Sequence, residues 1–197
     1  MNDYFTQNIE QIITRLGYEC VHVGIKKFCA EKPDIVISGI NQGPNLGTDL
    51  IYSGTVGAAR EAFIHGIPAI ATSLCSYTDK DFSKCAEMTA DICKKFVSDP
   101  LNKECFLNLN VPSGNPKGIR ICGTIGWLEY DEGYKSMTLA DGLSYLEVAD
   151  SEITRHFDEN DEDVDFNAVS AGYASLTPLM IDQISHPHCE QLKKYIQ

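Results

Sequence analysis

The sequence has no apolar run approaching the roughly 18 residues that span a bilayer, and its opening MNDYFTQNIEQIITRL is acidic and polar where a secretory leader is basic and then apolar. On this reading the cytoplasm is the expected compartment. None of its eight cysteines stands in a C-x-x-C pair, the spacing that zinc knuckles and redox centres use. Reduced and mostly buried thiols are expected instead, with Cys85 and Cys93 on one face of a helix. Positive charge is also scarce: 16 Lys and Arg against 28 Asp and Glu leave a net charge of −12. That balance repels a nucleic-acid duplex or an anionic membrane over most of the surface, so a phosphorylated ligand needs local help, most simply a cation.

What is present is ordinary globular material. Hydrophobic residues make up 43% and charged residues 22% of 197, which suits one domain, or one domain with an arm. Apolar residues at Phe5, Ile9, Ile12, Ile13 and Leu16, and again at Val21, Ile25 and Phe28 after Gly17, predict two helices. Asp34 to Ser38 is a short continuous apolar run after a proline, the pattern of a buried parallel strand. A helix from Ser53 to Gly66, a buried strand from Pro68 to Leu74, a helix from Phe82 to Val97 and a strand at 106–111 follow. This strand and helix alternation argues for right-handed α/β crossovers.

After Pro112 the pattern turns antiparallel, with GIRICGT and a hairpin over Tyr134 to Val148 around an Asp141-Gly142 turn. Residues 150 to 165 carry eight acidic groups opposed by Arg155 alone, and are expected to be a solvated loop. DENDEDVDF within it lacks the turn glycine and closing glutamate of an EF-hand loop. Ser175 to Ile181 reads as a strand and Glu190 to Ile196 as a last short helix.

The segment GINQGPNLGTDLIYSGT, residues 39 to 55, joins a parallel strand to a helix, where α/β sheets place their ligands. Glycines let backbone N–H groups approach a phosphate, and the helix start adds donors, a favourable dipole and the hydroxyls of Ser53 and Thr55. The segment is neither G-x-G-x-x-G nor a Walker sequence, which removes the main support for a dinucleotide or triphosphate. On composition alone, an anion site and a plain turn-rich connection stand level.

The run KPDIVISGINQGPNLGTDLIYSGTVGAAREAFIHGIPAIATSL, residues 32 to 74, strongly resembles the SurE family of metal-dependent 5′/3′-nucleotidases. The resemblance starts near Cys20 in CVHVGIKKF and resumes at FLNLNVP (106–112) and DFNAVSAGYASLTPL (165–179), continuing through Asp182 and His186. It implies a three-layer Rossmann-like α/β fold with an antiparallel C-terminal β arm that swaps between subunits to give a homodimer or homotetramer. It also implies hydrolysis of nucleoside 5′(3′)-monophosphates with Mg²⁺ or Mn²⁺. Residue by residue, Asn41 matches the family's metal-ligand asparagine. Asn45, Ser53, Gly54 and Thr55 match the loop and helix start that border the phosphate, and Asp182 and His186 match a C-terminal D-x-x-x-H pair linked to activity or arm packing. The organisation expected is a divergent N-terminal helix (1–19), an α/β core (20–124), a β-hairpin arm with the acidic loop (125–165) and a C-terminal strand and helix (166–197).

The chain departs from the family pattern at its start. Members open with a strand ending in N-D-D-G, whose aspartates hold the metal, and supply a serine ligand from a later loop; this sequence contains neither, and Asn2-Asp3 echoes the motif without a strand before it. One neutral amide oxygen from Asn41 does not retain a hard divalent cation. Two readings follow: a nucleotidase impaired by missing metal ligands, and a catalytically dead nucleotide-binding or oligomerisation module. A mis-started gene, a fragment and a degenerate paralogue each account for the departure. Loss of a normally central strand would leave the apolar strands at 34–38 and 68–74 without a neighbour, and neither carries a charge or proline to blunt an open edge, so an incomplete gene product is expected.

Overall fold

The computed structural model describes residues 17–139, 141–182 and 186–195; the helix expected over 5–16 and the Asn2-Asp3 pair lie outside them. The first described helix, α1 (Gly17–Val23), runs on through a π-helical turn at Gly24–Phe28. Strand β1 (Val36–Gln42) reaches further than its apolar run predicts. Its pairing with the next strand slips between Ser38 and Asn41 and then resumes at Asn41 and Gln42, so the first part of the glycine-rich segment is strand rather than loop. Gly39, at φ 126° inside that slip, lies so close to the Thr72 carbonyl that a Cβ has no room.

A 3-10 turn (Gly47–Ile51) leads into α2 (Gly54–Ile64), and β2 (Ala69–Cys75), α3 (Ser83–Phe96) and β3 (Phe106–Pro112) complete the alternation. Residues Ala69 to Leu74 and Phe106 to Val111 are buried without interruption, as strands covered on both faces must be. One face packs Val56, Ala59 and Ala62 of α2 against Ala69, Ala71 and Phe106, with Val21 of α1 behind them. The other packs Cys85, Met88, Ile92 and Phe96 of α3 against Ile70, Leu107 and Leu109. The result is three layers, with Cys85 and Cys93 in the second core as their spacing predicts. All eight cysteines are free thiols; Cys85, Cys105 and Cys122 are buried, while Cys29 and Cys189 are exposed.

The central sheet also holds β4 (Ile119–Ile121) and β7 (Ala174–Leu179), in the order β1-β2-β3-β7-β4. β1, β2 and β3 are parallel, β7 runs antiparallel to β3, and β4 lies parallel to β7 at the edge. The strand at 69–75 therefore has neighbours on both sides, contrary to the expectation of an orphaned pair; among the described residues β1 and β4 are the two edges of the central sheet, and Ile37 of β1 is 47% exposed.

Strands β5 (Leu128–Thr138) and β6 (Ser144–Arg155) form a separate antiparallel ribbon turning at Gly142, φ 86°. The ribbon is longer at both ends than the hairpin predicted over 134–148, and residues 150–155 belong to it, not to an acidic loop. In that stretch Glu152 stands opposite Asp131 in the ladder, on an exposed face where water screens the two charges, and Arg155 pairs with Glu159 at 3.6 Å. The rest of the acidic stretch is hydrogen-bonded rather than merely solvated. Asp163 accepts from the Gly123 N–H (2.9 Å) and the Thr124 hydroxyl (3.0 Å), and Asp165 is fully buried at the start of α4 (Asp165–Ser170). The last helix, α5 (His186–Leu192), begins four residues before the one predicted.

Candidate functional site

At the carboxyl edge of β1 the chain opens a cleft of about 640 Å³ lined by Ser38, Gly39, Asn41, Asn45, Ser53, Gly54 and Thr55, with Gly17, Cys20 and Val21 of α1 closing one side. Ser53 caps α2, its hydroxyl accepting the Val56 N–H at 3.1 Å. Val56 is the third helical residue, so the N–H groups of Gly54 and Thr55 before it have no partner within the helix and carry the positive end of its dipole into the cleft. The Asn41 side-chain N–H donates to the Gly43 carbonyl at 2.9 Å, which leaves its amide oxygen to serve the cleft. Five sequence-predicted residues, Asn41, Asn45, Ser53, Gly54 and Thr55, are thus brought to one wall system.

The loop keeps its shape because buried groups from other elements hold it. The Asn45 N–H donates to the Asn110 side-chain oxygen at 2.8 Å, its carbonyl accepts from Asn108 (2.9 Å) and Asn110 (3.1 Å), and its own amide donates to the Ser73 hydroxyl at 2.6 Å. Asn45 therefore acts on the cleft by fixing the loop. Two residues on, the Gly47 N–H donates to Asp165 at 2.8 Å, and the other oxygen of Asp165 accepts from Gly126 and Phe166 at 2.9 and 2.8 Å. The root of the ribbon is bolted to the same turn: Thr48 and Leu128 exchange two hydrogen bonds, and the Tyr130 hydroxyl donates to Asp49 at 2.7 Å. Asn108, Asn110 and Asp165 escape the sequence reading. The signal for two of them is the N-L-N alternation inside a strand that is otherwise wholly buried, where an amide persists only with a partner.

Titration follows the same geometry. Burial raises the Asp165 carboxyl pKa despite its three backbone donors, and Asp49 adds to the rise. Burial pushes Cys75 up to about 12, aided by Cys85 and Asp165, so this thiol is no nucleophile at neutral pH. Tyr130 is raised by burial first, then by its bond to Asp49 and the charge of that carboxylate.

The cleft does not fit a hard divalent cation on its described lining. Such an ion takes six or more oxygens including carboxylates, yet no carboxylate among the described residues lines the cleft. Asp49 and Asp165, close in sequence or in space, are engaged by Tyr130 and by backbone donors.

Asp182 stands elsewhere within one chain. β7 runs antiparallel to β3 and ends beside Phe106, and Ile181 lines a hollow with Phe63, Pro68 and Asn102 at the amino edge of the parallel strands. Asp182 follows there, about 20 Å along the sheet from the cleft. His186 opens α5 beyond residues 183–185, which lie outside the described set.

The family described as Survival protein SurE matches the chain over residues 13–129. The chain belongs to the SurE family. It is 41% identical over 179 residues to a 5′-nucleotidase SurE of Pelotomaculum thermopropionicum, an alignment covering 91% of this chain and 68% of that protein. A 5′-nucleotidase SurE of Synechococcus sp. is 37% identical over 179 residues, covering 90% and 68%. The crystal structure of the SurE protein from Aquifex aeolicus superposes with a TM-score of 0.74 at 33% identity, over 92% of this chain and 73% of that one. The SurE fold accounts for the mixed sheet with its parallel half and for the separate antiparallel ribbon. No helix among the described residues is long and apolar enough to cross a membrane.

Proposed function

We propose that the protein is a phosphomonoesterase acting on nucleoside 5′(3′)-monophosphates; its SurE relatives are named 5′-nucleotidases. The observation that carries this reading is the amino end of α2 opening into a clamped, glycine-rich cleft at the carboxyl edge of a parallel strand. In this reading Gly54 and Thr55 donate their N–H groups to the phosphate oxygens, and the Ser53 and Thr55 hydroxyls add donors. Asn45 keeps the loop in place, and the helix dipole offsets charge that builds on the phosphoryl group. The cofactor this chemistry calls for is Mg²⁺ or Mn²⁺, to which Asn41 offers a single neutral oxygen. Turnover by this chain is accordingly expected to be at least about a hundredfold slower than that of a relative with a full ligand set. Asp182 and His186 serve as catalytic or arm-packing residues only where a second subunit brings them to a cleft.

A second reading, a nucleotide-binding or assembly module without turnover, is favoured by the lack of a carboxylate in the cleft lining among the described residues. Release of phosphate from AMP during Mg²⁺ and Mn²⁺ titration separates the two: slow, metal-dependent turnover supports the esterase, and saturable AMP binding without phosphate release supports the module.

Assembly belongs to the same proposal. The β5/β6 ribbon presents Tyr134, Leu143, Tyr145, Leu146 and Ile153, each at least 46% exposed, and a two-stranded ribbon of this kind does not hold itself together in water. It embraces another copy of the chain, giving a homodimer or homotetramer.

A further inference from the structure

Helices α1 and α2 lie side by side in the same direction: Gly17 meets Gly54 at one end, and His22 meets Glu61 and His65 at the other. At that second end three potential ligand atoms converge. His22 Nδ1 lies 3.0 Å from Glu61 Oε1, His65 Nε2 lies 3.1 Å from the same oxygen, and the two imidazole nitrogens are 3.3 Å apart. Glu61 and His65 are one helical turn apart, so the pair is fixed by α2 alone, and α1 supplies the third atom.

We propose that His22, Glu61 and His65 form a zinc site that clamps α1 to α2, remote from the cleft. Two imidazoles and one carboxylate are a ligand set that Zn²⁺ accepts, and bonds of roughly 2.0–2.1 Å in tetrahedral array place neighbouring ligand atoms about 3.3 Å apart. The observed triangle of 3.0, 3.1 and 3.3 Å needs only a slight expansion to reach that figure. Hydrogen bonding alone explains the triangle less well, because two N–H groups aimed at one oxygen crowd each other, whereas a cation satisfies all three atoms at once. His65 caps the carboxyl end of α2, where the helix dipole also favours positive charge. His22 is half exposed, which leaves an entry path and room for a water as fourth ligand. The site lies about 10 Å along α2 from Gly54. Because Gly17, Cys20 and Val21 of the same α1 line the cleft, an ion here stiffens that wall without entering it.

The test is titration of the purified full chain with Zn²⁺ by calorimetry and with Co²⁺ by visible absorption, alongside amide exchange of residues 17–28. One equivalent should bind, with a tetrahedral Co²⁺ spectrum free of thiolate charge-transfer bands. The melting temperature should rise by about 5 °C at zinc concentrations a hundredfold above Kd, and exchange over α1 should slow. His22→Gln and His65→Gln should each weaken binding by more than about tenfold while leaving the zinc-free melting temperature and far-ultraviolet spectrum unchanged. Asn41→Ala, in the cleft, should leave it intact. Binding that survives the double histidine variant, binding lost in Asn41→Ala, or no saturable binding of either ion overturns the proposal.

Discussion

Replacing Asp165 with alanine tests how far the cleft depends on a residue outside it. The side chain is completely buried and accepts the N–H groups of Gly47, Gly126 and Phe166 at 2.8 to 2.9 Å. The Gly47 and Gly126 donors come from segments far away in sequence, and leaving a buried donor without an acceptor costs about 1–3 kcal/mol each. Part of that is returned because the variant no longer buries a carboxyl whose raised pKa records a desolvation penalty. The expected net loss is about 2–4 kcal/mol, read from the midpoint of urea unfolding at unchanged slope. Linkage fixes how the gap moves with pH. A carboxyl pKa raised in the folded state means that the folded chain binds this proton more tightly. Its contribution is fully present below the unfolded value of about 3.9 and is lost as pH rises through the folded one. The gap between wild type and Asp165→Ala should therefore widen on acidification from neutrality towards about pH 4. The Gly47 turn leads directly to Ser53, so phosphate affinity should fall together with stability. A loss under about 1 kcal/mol with unchanged phosphate affinity would refute the reasoning.

Asn110→Ala removes both bonds that this side chain makes to the Asn45 backbone, one donated and one accepted; urea unfolding should show a loss of about 2–3 kcal/mol, and phosphate should bind more weakly. Gly39→Ala places a Cβ against the Thr72 carbonyl at a φ of 126°, and should lower the melting temperature more than Gly57→Ala, where a Cβ meets open space. Light scattering at micromolar concentration should give the mass of a dimer or tetramer, and a monomer mass would remove the role given to the ribbon.

The parts of the fold that the sequence discloses are those written in local pattern. Continuous apolar runs at 69–74 and 106–111 announce strands covered on both faces, and Ser53 announces the start of α2. What escapes is long-range. Nothing local says that β7, some sixty residues after β3, inserts between β3 and β4, or that Asp165 in an acidic run turns inward to hold Gly47. Charge density predicted solvation there, and specific backbone donors overrode it at Asp163 and Asp165. The five residues that the family motif singles out line one cleft, because one uninterrupted segment carries them all. Asp182 follows a strand of opposite direction, which puts it at the other end of the sheet within one chain, and sequence spacing carries no information on that direction.

The measurement that bears most directly on the central claim is AMP and inorganic phosphate binding, followed by calorimetry and ³¹P resonance, in wild type and in the Ser53→Ala, Thr55→Ala double variant. The Ser53 substitution removes the cap of α2 and should cost about 1 kcal/mol in stability, which the melting curve records separately. If the amino end of α2 is the phosphate site, wild type binds both ligands weakly and competitively, and the double variant, still folded, binds each several-fold more weakly. Equal affinity in the two proteins, or AMP binding that inorganic phosphate does not compete, would contradict the assignment.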